Sequence, residues 1–266
     1  MREICQTDLP IKPWMQDKTR RLPGLNPIAE GDWLRVDEVY AEQMAYRRDL
    51  LTKKRHDVFR MSDQAGRAAT ELLERILQEL EGVDGFQRHG DSVLCPDGFR
   101  VEIDWNEPLL SAANLVQEDL VLMQKAGEEH ALTAAVLCFP ASWSLDEKFG
   151  GGLLKIHKPV DPYTDDIGMR VQRLFDFIKP EHPMWRANFL IYSNPDLFQP
   201  RREDNRRVID REAELWVRVE RQCLVKLPLS QAVVFSIHSY VVPITVLSEH
   251  EIAELNRWND HEHKAF

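Results

Sequence analysis

Apolar and polar positions along this chain follow two periods, and the switches between them mark out the elements. Over residues 63–80 the apolar side chains Ala65, Ala69, Leu72, Leu73, Ile76, Leu77 and Leu80 recur three and four apart, which predicts a helix with one buried stripe. Asp37 is placed to cap an earlier helix over 38–54, and Ser111 a third that runs through Leu120 and Met123 to Gln124. A fourth helix covers 165–178. Ser248 followed by Glu251 has the spacing of a capping box, in which each side chain bonds the other residue's backbone N–H, and opens a fifth. Strand patterns occupy 92–95 and 99–103, on either side of the turn Pro96-Asp97-Gly98, and then 131–139 and 186–192. The two longest, 215–227 and 232–242, are joined by Pro228-Leu229-Ser230-Gln231 and read as an antiparallel hairpin. Residues 1–35 carry Pro10, Pro13, Pro23 and Pro27 and no clear period, so they predict an extended N-terminal arm. With no internal repeat and no flexible linker, the chain reads as α+β, with this arm and a single domain over 36–266.

Alternation gives the hairpin chemical content. Val217 and Val219 point to one side of the first strand, and Arg218, Glu220 and Gln222 to the other. In the second, Val233, Phe235 and Ile237 oppose Ser236, His238 and Tyr240. If the apolar sides form the core together, both polar sets share one surface, and a turn centred on Leu229 brings Glu220 near His238. That surface is either the solvated face common in antiparallel hairpins or the lining of a pocket. A pocket would need Gln222, Tyr240 or a ligand to satisfy a buried Arg218–Glu220 pair. The pattern leaves both open.

Composition narrows the class. A hydrophobic content of 43% with only 12 Gly and 15 Pro describes a folded chain and excludes collagen-like or disordered sequences. The 44 acidic against 34 basic residues, a formal charge of −10, repel nucleic acid and anionic membranes, so neither is expected as a partner. Cys5, Cys95, Cys138 and Cys223 form no CxxC pair, which predicts reduced thiols rather than zinc or disulfides. The charged N-terminus shows no secretory signal, and no apolar stretch approaches the ~20 residues of a membrane span; a cytoplasmic protein is expected.

Nucleotide and hydrolase motifs are missing. There is no GxGxxG, GxSxG or HExxH, and the run Gly150-Gly151-Gly152 lacks the Lys-Ser/Thr of a P-loop. His130 ends a polar Glu-Glu-His run and is expected at the surface. His157 differs, because Leu153, Leu154, Ile156 and Val160 surround it and Pro159 stops the segment. An imidazole there is either a structural side chain or a ligand to metal or haem iron.

Several segments, taken in order, resemble one family. They are Val116-Gln117-Glu118-Asp119-Leu120, Phe139-Pro140-Ala141-Ser142-Trp143, Glu147-Lys148-Phe149-Gly150 and Ile156-His157-Lys158-Pro159-Val160. Arg186-Ala187-Asn188-Phe189, Arg218-Val219-Glu220-Arg221-Gln222 with Leu227-Pro228, and Phe235-Ser236-Ile237 leading to Tyr240 complete the set. Together they are similar to the haem-binding subunit of the haem-dependent oxidative N-demethylases (dimethylamine monooxygenases), over nearly the whole chain. The resemblance implies a PAS-like antiparallel sheet flanked by helices that grips haem b, with His157 as axial ligand to the iron. It implies O₂-dependent removal of a methyl group from a small secondary amine, releasing formaldehyde. Glu220 and Arg218 are carried over as catalytic, and Arg186, Asn188, Arg221, His238 and Tyr240 as cofactor-binding. The family pattern places an arginine where this chain has His238. Electrons would come from partner subunits, a reductase or ferredoxin-like protein, through NADPH and a flavin or iron–sulfur centre. The rival expectation is a non-catalytic haem-binding sensor or ligand-binding module of PAS type.

Overall fold

The computed structural model describes residues 3–20, 24–157, 165–205, 209–210 and 212–262. Among the described residues, ten strands form two antiparallel sheets: β1 (Asn26–Pro27), β2 (Phe59–Met61), β3 (Gln87–His89), β4 (Ser92–Leu94), β5 (Arg100–Glu102), β6 (Asp119–Ala126), β7 (Glu129–Val136), β8 (Met184–Tyr192), β9 (Trp216–Lys226) and β10 (Val233–Pro243). The large sheet has seven strands in the order β1-β8-β9-β10-β6-β7-β2, and β3-β4-β5 make a small separate sheet. With helices on both sides of the large sheet, the class is the α+β expected from the sequence.

The stripe predicted over 63–80 is the helix Gly66–Glu79, whose Leu72, Leu73 and Ile76 are wholly buried. It packs, with Tyr40, Met44 and Leu50 of the helix Tyr40–Lys53, on the back of the sheet, where Leu120, Leu122, Ala134, Val136 and Val234 point. The helices Leu153–His157 and Asp165–Phe177 cover the front, with Leu153 and Phe175 against Val121, Met123, Leu224 and Val233. A chain segment and a helix close the rest of the back. Trp14 sits 4.9 Å from the Phe189 ring, in a cluster with Val217, Val219 and Leu255 of the helix Glu249–Glu262. Ser248 and Glu251 make both bonds of the capping box at the start of that helix.

The helix expected over 111–124 is not formed. Its place is taken by a shorter helix, Pro108–Ala113, and by β6. Leu120 to Met123 are buried on both faces of the sheet, so the run has no polar side from which a strand period could be read. His130, expected at the surface, is buried on β7 beneath Gln172. Among the described residues, no helix is long and apolar enough to cross a membrane.

Candidate functional site

β9 and β10 are buried along nearly their whole length on both faces, so the hairpin has no solvated side. Its register also differs from the expected one. Ser239, not His238, lies opposite Glu220, and His238 lies opposite Arg221. Six residues, Leu227–Ala232, separate the strands, with Gln231 at φ +58° and the Leu227 N–H bonded to the Ala232 carbonyl. Glu71 of the helix Gly66–Glu79 holds this loop by accepting from the backbone N–H groups of Leu229 and Ser230 at 2.6 and 2.7 Å. A shift of one residue sends every side chain of a strand to the other face. The front therefore combines Arg218, Glu220 and Gln222 with Phe235 and Ile237, while Ser236, His238 and Tyr240 join Val217, Val219 and Arg221 on the back.

On the front, Arg218 donates to the carbonyls of Leu197 (3.0 Å) and Phe139 and to Ser239 Oγ (3.2 Å), and lies 3.6 Å from Glu220 Oε1. Glu220 is buried. Gln222 donates to its Oε2 at 3.0 Å, while Oε1 accepts no hydrogen bond and is shielded from solvent. Burial pushes the Glu220 carboxyl up from its ordinary pKa; Arg218 and the Gln222 bond oppose that shift without cancelling it. Across β8 and β9, Asn188 pairs with Glu220 and Arg186 with Gln222. The Arg186 guanidinium has its Nε out of contact with water and without a partner, and burial lowers its pKa against the pull of Glu220. Asp119, at the start of β6, accepts from the backbone N–H groups of Cys138 and Phe139 at 2.8 Å each and from Arg47 at 2.9 Å. It thus fixes the corner whose carbonyl anchors Arg218. Three residues on, Ser142 adopts a left-handed φ of +64° and its hydroxyl meets that of Tyr192 at 3.0 Å.

On the back, Arg221 donates to the Trp33 carbonyl at 2.8 Å and contacts the Asp32 carboxylate at 3.3 Å. His238 is held between two carboxylates, with Nδ1 3.1 Å from Glu118 and Nε2 3.2 Å from Asp37. Burial opposes its charge, but those two hydrogen bonds outweigh burial and raise its pKa to about 9. Asp37 also accepts from Gln117 (2.8 Å) and from Gln6 (2.7 Å), whose Oε1 takes the Val241 N–H at 2.8 Å. The Tyr240 ring is 4.6 Å from that of His238.

Of the residues singled out in the sequence, the fold brings Arg186, Asn188, Arg218 and Glu220 together. It sets Arg221, His238 and Tyr240 on the opposite face. His157 ends a helix on the front, but its side chain lies outside the described structure, as do Lys158, Pro159 and Val160. The chemical roles of Asp37, Arg47, Glu118 and Asp119 have no motif in the sequence. The available signal was the placement of two acids directly before an apolar run. Clefts of about 120 Å³ beside Phe59 and about 200 Å³ beside Leu77 belong to neither cluster. Among the described residues, no three His, Cys, Asp or Glu side chains gather where they would hold a metal ion.

Residues 24–259 match the family described as haem-dependent oxidative N-demethylase, alpha subunit-like. The chain belongs to that family. No protein with a curated description matches the sequence. The family is haem-dependent by its description and oxidative in its chemistry, and the match takes in both buried clusters. The front holds buried polar atoms that a bound group would partner. Two orphan polar atoms, Glu220 Oε1 and Arg186 Nε, stand on adjacent strands of the face that also carries the helix ending at His157. Buried groups of this kind ordinarily have partners, which a bound group would supply on the front; Glu118 Oε2 and Arg221 Nε are orphaned in the same way on the back.

Proposed function

We propose that this member of the family is a monooxygenase that removes a methyl group from a small secondary amine such as dimethylamine, using O₂ and haem b. The observation that carries the reading is Glu220 Oε1, a buried acceptor without a hydrogen bond, 3.6 Å from the Arg218 guanidinium. An alkylammonium supplies what that oxygen lacks, an N–H donor with positive charge, in a site dry enough for the pair to be strong. Glu220 then takes the ammonium proton and leaves a neutral amine, a transfer favoured by the raised carboxyl pKa. Arg218, fixed by two carbonyls and Ser239, holds Glu220 in place and offers charge to reduced oxygen nearby.

In this reading His157 would ligate the haem iron, and Arg186 with Asn188 would help hold the cofactor, Arg186 bringing the charge a carboxylate needs. Haem bound there would supply oxygen activation. Oxidation of the methyl carbon gives a carbinolamine that divides into formaldehyde and the smaller amine. Electrons would arrive from a partner carrying flavin or an iron–sulfur centre and fed by NADPH. Arg221, His238 and Tyr240 serve the sheet from its other face. The five long strands, counted along the chain, lie in the spatial order 2-1-5-4-3, which supports a PAS-like domain over 36–266.

The test is reconstitution with haem. Wild-type protein should show a Soret band that His157→Ala abolishes, and should form formaldehyde from dimethylamine with O₂ and a reductase. Glu220→Gln should keep the band and lose turnover. A protein that stays colourless after haem supplementation overturns the proposal; a coloured protein without turnover supports the sensor instead.

A further inference from the structure

The helix Leu153–His157 is too short to hold its own position, since isolated helices of a few residues are unstable in water. It is seated by the glycine run before it. Gly150 donates its N–H to the Leu132 carbonyl at 2.9 Å, and Leu132 returns a bond to the Gly151 carbonyl at 3.1 Å. Gly152 bridges to Ala131, and its carbonyl accepts from Ile156 at 2.9 Å. A side chain at each of the three glycines would meet a different obstacle. Gly150 is left-handed at φ +71°. A Cβ on Gly151 would stand 2.9 Å from the Lys148 carbonyl, a backbone atom, and 3.4 Å from the Lys155 side chain. One on Gly152 would overlap the Glu129 carboxylate.

The helix Asp165–Phe177 is tied to β7 and to its neighbour β6. Gln172, on the helix Asp165–Phe177, accepts from the His130 backbone N–H at 3.1 Å and meets His130 Nδ1 at 3.0 Å, and Asp176 pairs with Lys125 at 2.5 Å. Val121, Leu132, Leu153 and Phe175 share one apolar cluster between these ties.

We propose that Gly151 and Gln172 are positioning residues which dock the helices Leu153–His157 and Asp165–Phe177 on β7 and so set where the backbone of His157 stands. The haem part of this rests on the function proposed above. Gly151 touches neither substrate nor cofactor in this account; it permits a close approach of backbone to backbone that no other residue allows.

The experiment compares Gly151→Ala and Gln172→Ala with Gly127→Ala. Gly127 lies in the β6–β7 turn at φ +69° with open space around its Cβ position, so its replacement strains the backbone without moving the segment. Gly151→Ala and Gln172→Ala should stay folded by circular dichroism and bind haem at least tenfold more weakly than Gly127→Ala. Free imidazole should restore the Soret band of Gly151→Ala, as it would for His157→Gly. Unchanged affinity and spectrum in Gly151→Ala, or an equal loss in Gly127→Ala, overturns the proposal. If wild-type protein binds no haem, the haem reading fails by itself, and hydrogen exchange of the haem-free protein decides the docking. Amides 153–157 should then lose protection at least tenfold in Gly151→Ala and keep it in Gly127→Ala; equal protection in the two variants overturns it.

Discussion

His238 makes a quantitative prediction about pH. Its imidazole lies between Asp37 and Glu118, so the folded protein holds a proton there up to about pH 9, whereas an unfolded histidine releases it near 6.5. A folded-state pKa above the unfolded one gives stability that is fully present below about pH 6.5 and lost as pH rises through about 9. Two to three pKa units at 1.36 kcal/mol each put the loss on the order of 3 kcal/mol. Urea unfolding of wild-type protein from pH 6 to 10 should show it, with the steepest fall between 7 and 9. Other groups titrate in that range, so the decisive measurement is a comparison with His238→Arg. Arginine keeps the positive charge and does not titrate, so the variant should lack this part of the alkaline fall. His238→Gln should lack it too, while being already weaker at pH 6 because two buried carboxylates have lost their cation. If all three proteins show the same dependence on pH, or if wild-type stability rises from pH 7 to 9, His238 does not carry the charge argued for it.

Arg218→Met should cost about 3–5 kcal/mol in urea unfolding, since it leaves Glu220 buried without its cation and strips donors from the Phe139 and Leu197 carbonyls. The double variant Arg218→Met, Glu220→Gln should lose less than Arg218→Met alone, and strict additivity would show that the pair is not coupled. Trp14→Ala should cost about 3–5 kcal/mol by the same measurement, because the side chain is 1% exposed and packs on Phe189; a change below 1 kcal/mol would mean that residues 3–20 add little to the folded state.

Much of this architecture is legible in the sequence where a single face of an element is buried. The stripe of the helix Gly66–Glu79, the Ser248–Glu251 box and the existence of the hairpin are local patterns, and each is formed. Two errors have one origin. β6 reads as a helix because burial on both faces removes its alternation, and the hairpin was read one residue out of register because both its strands are buried on both faces as well. The loop conformation that goes with that register combines local bonds, with Gln231 left-handed and its N–H on the Leu227 carbonyl, and the grip of Glu71, which binds the loop from more than 150 residues away in sequence. For the site, Arg218 and Glu220 are visible as charges within an apolar strand, but a strand pattern cannot say which neighbours share their face. Asp119 was read as part of a helix, which hid its bonds to the Cys138–Phe139 corner.

Loading β9 with charge on both sides leads to a division of labour that an engineer can use. Its even positions, Arg218, Glu220 and Gln222, look toward the proposed chemistry, and its odd positions, Val219, Arg221 and Cys223, look toward the scaffold. New specificity can therefore be sought by varying Gln222 on the even side, with Arg218 and Glu220 kept, in a library that leaves the grip of Arg221 on the Trp33 carbonyl untouched.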